Sequence, residues 1–100
     1  MESKLTSKQR SELRAIANGY EAIFQIGKEG LGDNLYKAVN DALEARELIK
    51  LRVLKNSGIT ASEAALDISG KTNSETVQVI GAKLVLYKRN PNPEKRKIKL

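Results

Sequence analysis

The sequence predicts a compact α/β domain in the order α-β-α-β-α-β-β, with a mixed four-stranded sheet. Two capping boxes, beginning at Thr6 and Thr60, mark the starts of helices. Short apolar runs bounded by glycine mark strands, and residues 81–82 fit a tight hairpin turn. One hundred residues suffice for one domain with one core. We therefore assign residues 1–90 to the domain and residues 91–100 to a basic tail.

The first predicted helix covers residues 7–18, with Thr6 as its N-cap. Its apolar face follows the spacing i, i+3, i+4 and i+7, and the residues on that face are Leu13, Ile16, Ala17 and Tyr20. A short, largely apolar run over residues 22–26 follows and predicts a mostly buried strand.

The second predicted helix covers residues 33–45, with Asp33 as a possible N-cap, and a strand follows over residues 48–54. Apolar side chains alternate along this strand with Lys50 and Arg52, which share its other face. If this face of the sheet is open to solvent, the two side chains form a cationic stripe. If a helix covers the face, they must extend to water at the edge of the covered region.

The third predicted helix runs from the Thr60 capping box to about residue 69 and ends at Gly70. Strands over residues 76–80 and 83–88 then form a type II′ hairpin. Both β-α-β crossovers should give parallel strand pairs, and the hairpin adds an antiparallel one. The basic tail that follows the hairpin is expected to be mobile.

Composition narrows the classes of function. Eighteen Lys and Arg against twelve Asp and Glu give a net charge of +6, which favours polyanionic partners. The chain has no cysteine and no histidine, so thiolate metal sites and the commonest general base are absent. No apolar run approaches the ~20 residues of a membrane span. We expect a cytoplasmic, monomeric, non-enzymatic protein that needs no cofactor, metal or small-molecule substrate.

The stretch most indicative of binding is residues 26–33, where Gly27 and Gly30 flank Lys28 and Glu29. Glycine lets the backbone approach a ligand closely, and the N-terminus of the following helix offers free N–H groups and a positive dipole end. A phosphate fits such a place. An ordinary turn with a solvated lysine is the alternative, and the identity of the glycines cannot separate the two.

Further cations could follow a nucleic-acid backbone beside this loop, or could simply be solvated. They fall on the first helix, on the second strand and after the hairpin: Lys8, Arg10, Arg14, Lys50, Arg52, Lys88 and Arg89. With Gly27, Lys28 and Gly30, they form the predicted RNA-binding set.

The chain resembles a known family over nearly its whole length. The blocks that carry the resemblance occur in order at residues 5–10 with 13–17, 26–31 (IGKEGL), 43–44 with 47–51, and 77–81 with 84–88. They resemble YhbY-like proteins, which are single copies of the CRM domain (chloroplast RNA splicing and ribosome maturation).

The resemblance implies an RNA-binding domain similar in fold to the C-terminal domain of translation initiation factor three, with an added N-terminal helix. Bacterial members are linked to rRNA of large-subunit precursors, and plant relatives act in group II intron splicing. Their glycine loop is compared with that of KH domains, where it clamps the nucleic-acid backbone. Gly27 and Gly30 match its paired glycines, whereas Glu29 departs from a phosphate-binding pattern.

Three other functions remain open at this stage. A general RNA-binding module could act on non-ribosomal RNA. A protein-interaction domain with incidental basicity would bind its partner with little dependence on salt. An enzyme would have to use carboxylates such as Glu29 and Asp33 to hold Mg²⁺, although acids near a helix start usually serve capping and the helix dipole.

Overall fold

The computed structural model describes residues 5–100 and confirms the predicted fold class. The helices and strands follow the order α1 Ser7–Ala17, β1 Phe24–Ile26, α2 Asp33–Arg46, β2 Leu48–Val53, α3 Ala61–Thr72, β3 Glu75–Ile80 and β4 Lys83–Tyr87. Single 3-10 turns occur at Lys55–Ser57 and Pro93–Lys95.

The four strands form one mixed sheet in the order β1-β2-β4-β3. Strand β1 pairs with β2 in parallel, and β4 is antiparallel to both β2 and β3. The prediction that β2 and β3 form a parallel pair is therefore wrong, since β4 lies between them. The hairpin could be read from the sequence because its turn is local, with a positive φ at Gly81. Which hairpin strand adjoins β2 depends on distant contacts.

Alternation along the strands divides the core between the two faces of the sheet. One face packs under α2 and α3 and includes Ile49, Leu51 and Leu84. The other packs under α1, where Leu13 and Ala17 meet the sheet. Ile16 and Tyr20 are each 39% exposed, so the predicted apolar face of the first helix is wider than the buried one.

Two predicted helix ends need correction. The N-cap of α2 is Gly32, and Asp33 is already the first helical residue. Gly70 does not end α3, which continues to Thr72 because Asn73 adopts the left-handed cap conformation and its N–H bonds to the Ser69 carbonyl. The predicted cap of α1 is confirmed, with the Gln9 N–H donating to the Thr6 hydroxyl at 3.1 Å.

The C-terminal segment is docked on the domain, in place of the mobile tail that its composition predicts. Glu47, fully buried after α2, accepts hydrogen bonds from the backbone N–H groups of Asn90, Lys97 and Ile98. The side chain of Ile98 also packs against the core cluster beneath α1. One buried carboxylate thus joins the end of α2 to the last residues of the chain.

Candidate nucleic-acid interface

The glycine loop is a tight turn at the end of β1. The Gly30 N–H donates to the Gly27 carbonyl at 2.9 Å, which closes a four-residue turn. Lys28 and Glu29 occupy its two central positions, and both are exposed. Gly30 has φ +67°, a conformation that glycine adopts without strain. The turn therefore presents one cation and one anion to solvent directly before α2.

Gly27 has no comparable structural need to be glycine. It lacks a positive φ, and a Cβ added there would lie 3.5 Å from Leu54 Cδ1, an ordinary van der Waals distance. The turn thus accounts for Gly30 but not for Gly27. At this position, close approach of a ligand to the backbone remains as a reason for glycine.

The N-terminus of α2 differs from those of the other two helices. Thr6 and Thr60 each accept a backbone N–H at 3.1 Å in the first turns of α1 and α3. Gly32 has no side chain to do this, and no side-chain cap bond is made to α2. The N–H groups of α2 before that of Tyr36, which donates to the Gly32 carbonyl, therefore have no side-chain acceptor, and the positive end of the helix dipole lies behind them.

Three exposed cations join Lys28 at this end of the sheet, which we call the loop end. Arg52 pairs in register with Gln25 on one side and Lys83 on the other, and Lys55 follows the end of β2. The Leu54 N–H donates to the Ile26 carbonyl at 2.9 Å, which holds the Lys55 turn beside the loop. The loop-end cations are therefore Lys28, Arg52, Lys55 and Lys83.

Sequence reasoning missed two of these four residues. Lys83 directly follows the hairpin turn, but its place beside Arg52 depends on the pairing of β4 with β2. Lys55 follows the end of β2. Because β1 and β2 are parallel, residues after β2 lie close to the loop that follows β1, and this rule could have identified Lys55 from the sequence.

Three predicted binding residues have structural partners instead. The Lys50 ammonium, on a residue only 9% exposed, donates to the Tyr20 carbonyl at 2.9 Å. Lys88 Nζ donates to the Thr72 carbonyl at 2.9 Å, at the C-terminus of α3. Arg10 donates to the Thr76 carbonyl. The segment that follows α1 thus covers Lys50 but leaves Arg52 exposed, so these two cations do not form one exposed stripe.

The remaining predicted cations are Arg89, Lys8 and Arg14, and register places Arg89 far from the loop. Tyr87 pairs with Leu48 at the opposite end of the sheet, so Arg89 lies beyond β2's first residue. Arg52 lies four positions after Leu48, a distance of about 13 Å along a strand. Lys8 and Arg14 are exposed on α1. The structure therefore brings together Gly27, Lys28, Gly30 and Arg52, and leaves the other predicted residues outside this group.

The acids at the loop end only partly offset its positive charge. Glu29 and Asp33 are exposed, whereas the Glu63 carboxylate interacts with the Thr60 hydroxyl at 3.1 Å. Within residues 5–100, no three Asp or Glu side chains are placed to hold a metal ion. No helix in that range is long and apolar enough to cross a membrane.

Tyr36 fixes the first turn of α2 to α3 by donating a hydrogen bond to Asp67. This bond, together with burial and the Asp67 charge, raises the pKa of Tyr36 from 10.0 to about 12. Because the folded pKa is the higher one, the bond's contribution to stability is complete below pH 10 and is lost as the pH rises toward 12.

We expect Tyr36→Phe to be less stable than wild type at neutral pH, and this difference to shrink between pH 10 and 12. Denaturant unfolding of both proteins at each pH would measure it. Phenylalanine keeps the ring, which lies 5.9 Å from Lys71 Nζ, so that contact largely cancels in the comparison. A difference that stayed constant to pH 12 would show that it does not come from this bond.

Comparison with known proteins gives consistent matches over most of the chain. The CRS1/YhbY (CRM) domain family matches residues 5–88. YqeI of Bacillus subtilis, named a probable RNA-binding protein, is 44% identical over 86 residues, which are 86% of this chain and 90% of YqeI. A Haemophilus influenzae protein named RNA-binding protein is 31% identical, covering 96% and 94% of the two chains.

A solved structure has the same fold. The solution structure of SAV1595 from Staphylococcus aureus, a hypothetical protein described as a candidate RNA-binding protein, superimposes with a TM-score of 0.72. The two sequences are 38% identical, and the match covers 95% of this chain and 99% of the other. The similarity therefore extends over the glycine loop, the sheet and all three helices.

Proposed function

The chain belongs to the CRS1/YhbY (CRM) domain family, and from that premise we propose that it is an RNA-binding protein that uses its loop end. The observation that carries the proposal is the gathering of Lys28, Arg52, Lys55 and Lys83 around a glycine turn and an uncapped helix N-terminus. Relatives named RNA-binding proteins support the choice of RNA as the polyanion.

In the proposed mechanism, the turn and the first N–H groups of α2 hold one phosphate of the RNA. The fold itself does not require glycine at position 27, because a Cβ would fit there. Without that Cβ, the backbone at Gly27 can approach the phosphate closely. Lys28 and the other loop-end cations contact neighbouring phosphates and release their counterions. Such contacts set the position of the RNA and give affinity that depends strongly on salt.

For the biological RNA, we propose rRNA of large ribosomal subunit precursors, with the protein acting in the cytoplasm as a monomeric assembly factor. Gradient sedimentation of cell extract at low and moderate salt tests this. Co-migration with large-subunit precursors that is released by salt is expected. Presence only among free proteins at both salts would overturn the ribosomal proposal and favour another RNA or a protein partner.

Lys28→Ala should weaken RNA binding modestly and reduce the salt dependence by about one contact, or roughly 0.7–0.9 in the log–log slope. Fluorescence anisotropy of a labelled RNA across a salt series would measure both. Glu29→Gln, which removes the neighbouring negative charge in the same turn, should strengthen binding. Equal affinities for both variants and wild type would indicate an idle surface turn.

A further inference from the structure

Four exposed side chains form a row across the sheet at the loop end. Register places Gln25 beside Arg52, Arg52 beside Lys83 and Lys83 beside Ile80. These residues belong to four adjacent strands, so the row spans about 14 Å at the usual strand spacing. We call this set, Gln25, Arg52, Lys83 and Ile80, the cross-strand row.

The cross-strand row lies on the face of the sheet that α1 covers elsewhere. Alternation puts Arg52 on the same face as Lys50 and Leu48, and Leu48 is part of the cluster beneath α1. Lys50 is buried, whereas all four members of the row are exposed, Ile80 by 59%. The cover provided by α1 and the segment that follows it therefore ends one row short of the loop end and leaves an exposed strip of sheet beside the glycine turn.

The chemistry of the row is mixed in a way that suits a nucleotide. Arg52 and Lys83 supply two adjacent positive charges, and neither makes a side-chain hydrogen bond or ion pair with another residue from 5 to 100. Gln25 offers both an amide donor and an acceptor, and Ile80 offers an exposed apolar surface. The row is continuous with the proposed phosphate site, because Gln25 lies two residues before Gly27.

Resting on the proposed function, we infer that the cross-strand row binds an unpaired RNA strand leaving the glycine turn. Arg52 and Lys83 contact its phosphates, and Ile80 packs against a sugar or a base. In a duplex the bases are stacked inside and the surface shows mainly hydroxyls and phosphates, which offer Ile80 little apolar contact. An unpaired strand exposes base faces and edges, and these match the apolar and amide ends of the row.

Anisotropy titrations with a labelled, mixed-sequence oligoribonucleotide test the inference, using the strand alone and annealed to its complement. Arg52→Ala and Lys83→Ala should each weaken unpaired-strand binding about fivefold at 0.1 M salt, the effect of one lost phosphate contact. Ile80→Thr keeps a β-branched side chain and should weaken only unpaired-strand binding, by about threefold. Lys95→Ala, which removes an exposed charge from the tail, is the control and should bind as wild type.

The outcomes separate this inference from the proposed function. Wild-type affinity for all three row variants, with binding lost in a loop variant such as Gly30→Asp, overturns the row and leaves RNA binding at the loop intact. If Arg52→Ala and Lys83→Ala weaken binding to the single strand and the duplex equally, and Ile80→Thr binds as wild type, the inference of an unpaired ligand is overturned. Unchanged binding in both row and loop variants would remove the proposed function itself.

Discussion

Glu47→Ala should lower the free energy of unfolding by about 2–4 kcal/mol. The Glu47 carboxylate is fully buried and accepts three backbone N–H groups, including that of Asn90 at 2.7 Å. Hydrogen bonds to a charged acceptor are stronger than neutral ones. Part of their loss is recovered when the C-terminal segment detaches and its N–H groups meet water.

Backbone strain at the same residue gives this prediction a second readout. Glu47 has φ +65°, where a side chain costs roughly 1–2 kcal/mol relative to glycine. Glu47→Gly should therefore be less destabilising than Glu47→Ala, although both lose the carboxylate. Denaturant unfolding would give the order of the three proteins, and trypsin sensitivity near Lys97 would report detachment of the tail.

Glu44→Ala is the matched control, because Glu44 is a solvent-exposed glutamate one turn earlier in α2. Its carbonyl accepts the Asn90 side chain, a bond that the substitution leaves in place. We expect its stability to stay within about 0.5 kcal/mol of wild type. Equal effects at the two positions would mean that the buried carboxylate does not anchor the tail.

Local patterns in the sequence identify most of the fold. The Thr6 capping box, the strand alternation and the hairpin turn at Gly81 each act within a few residues, so they can be read directly. The glycine turn is local in the same way. The fold class and the core of the candidate site, Gly27 to Gly30, therefore followed from the sequence.

Features that depend on distant residues could not be read in this way. Glu47 binds backbone groups that follow it by 43 to 51 positions in the sequence, so its sequence neighbours give no sign of its role. Lys50 and Arg52 look equivalent in the strand pattern, yet Lys50 is buried and bonded to the Tyr20 carbonyl, whereas Arg52 is exposed. Lys83 joins the interface only because β4, rather than β3, adjoins β2.

Gly30→Asp should produce the largest loss of RNA affinity, at least tenfold. Open space surrounds Gly30, with no atom within 4 Å of an added Cβ, so the new side chain would not disturb packing. It would instead put a carboxylate beside the proposed phosphate position, at an uncapped helix N-terminus that favours anions. The added group would occupy that position and repel the RNA backbone.

Gly30→Asn separates this electrostatic effect from backbone strain. Asparagine has nearly the same size as aspartate and tolerates a positive φ comparably, but it carries no charge. The two variants should therefore have similar unfolding free energies, while only the aspartate variant loses most of its affinity for a labelled RNA. If both lose affinity equally, space at the turn matters more than charge; if both bind as wild type, the phosphate does not lie at Gly30. The comparison thus tests the loop directly, because it changes the charge there while the fold stays the same.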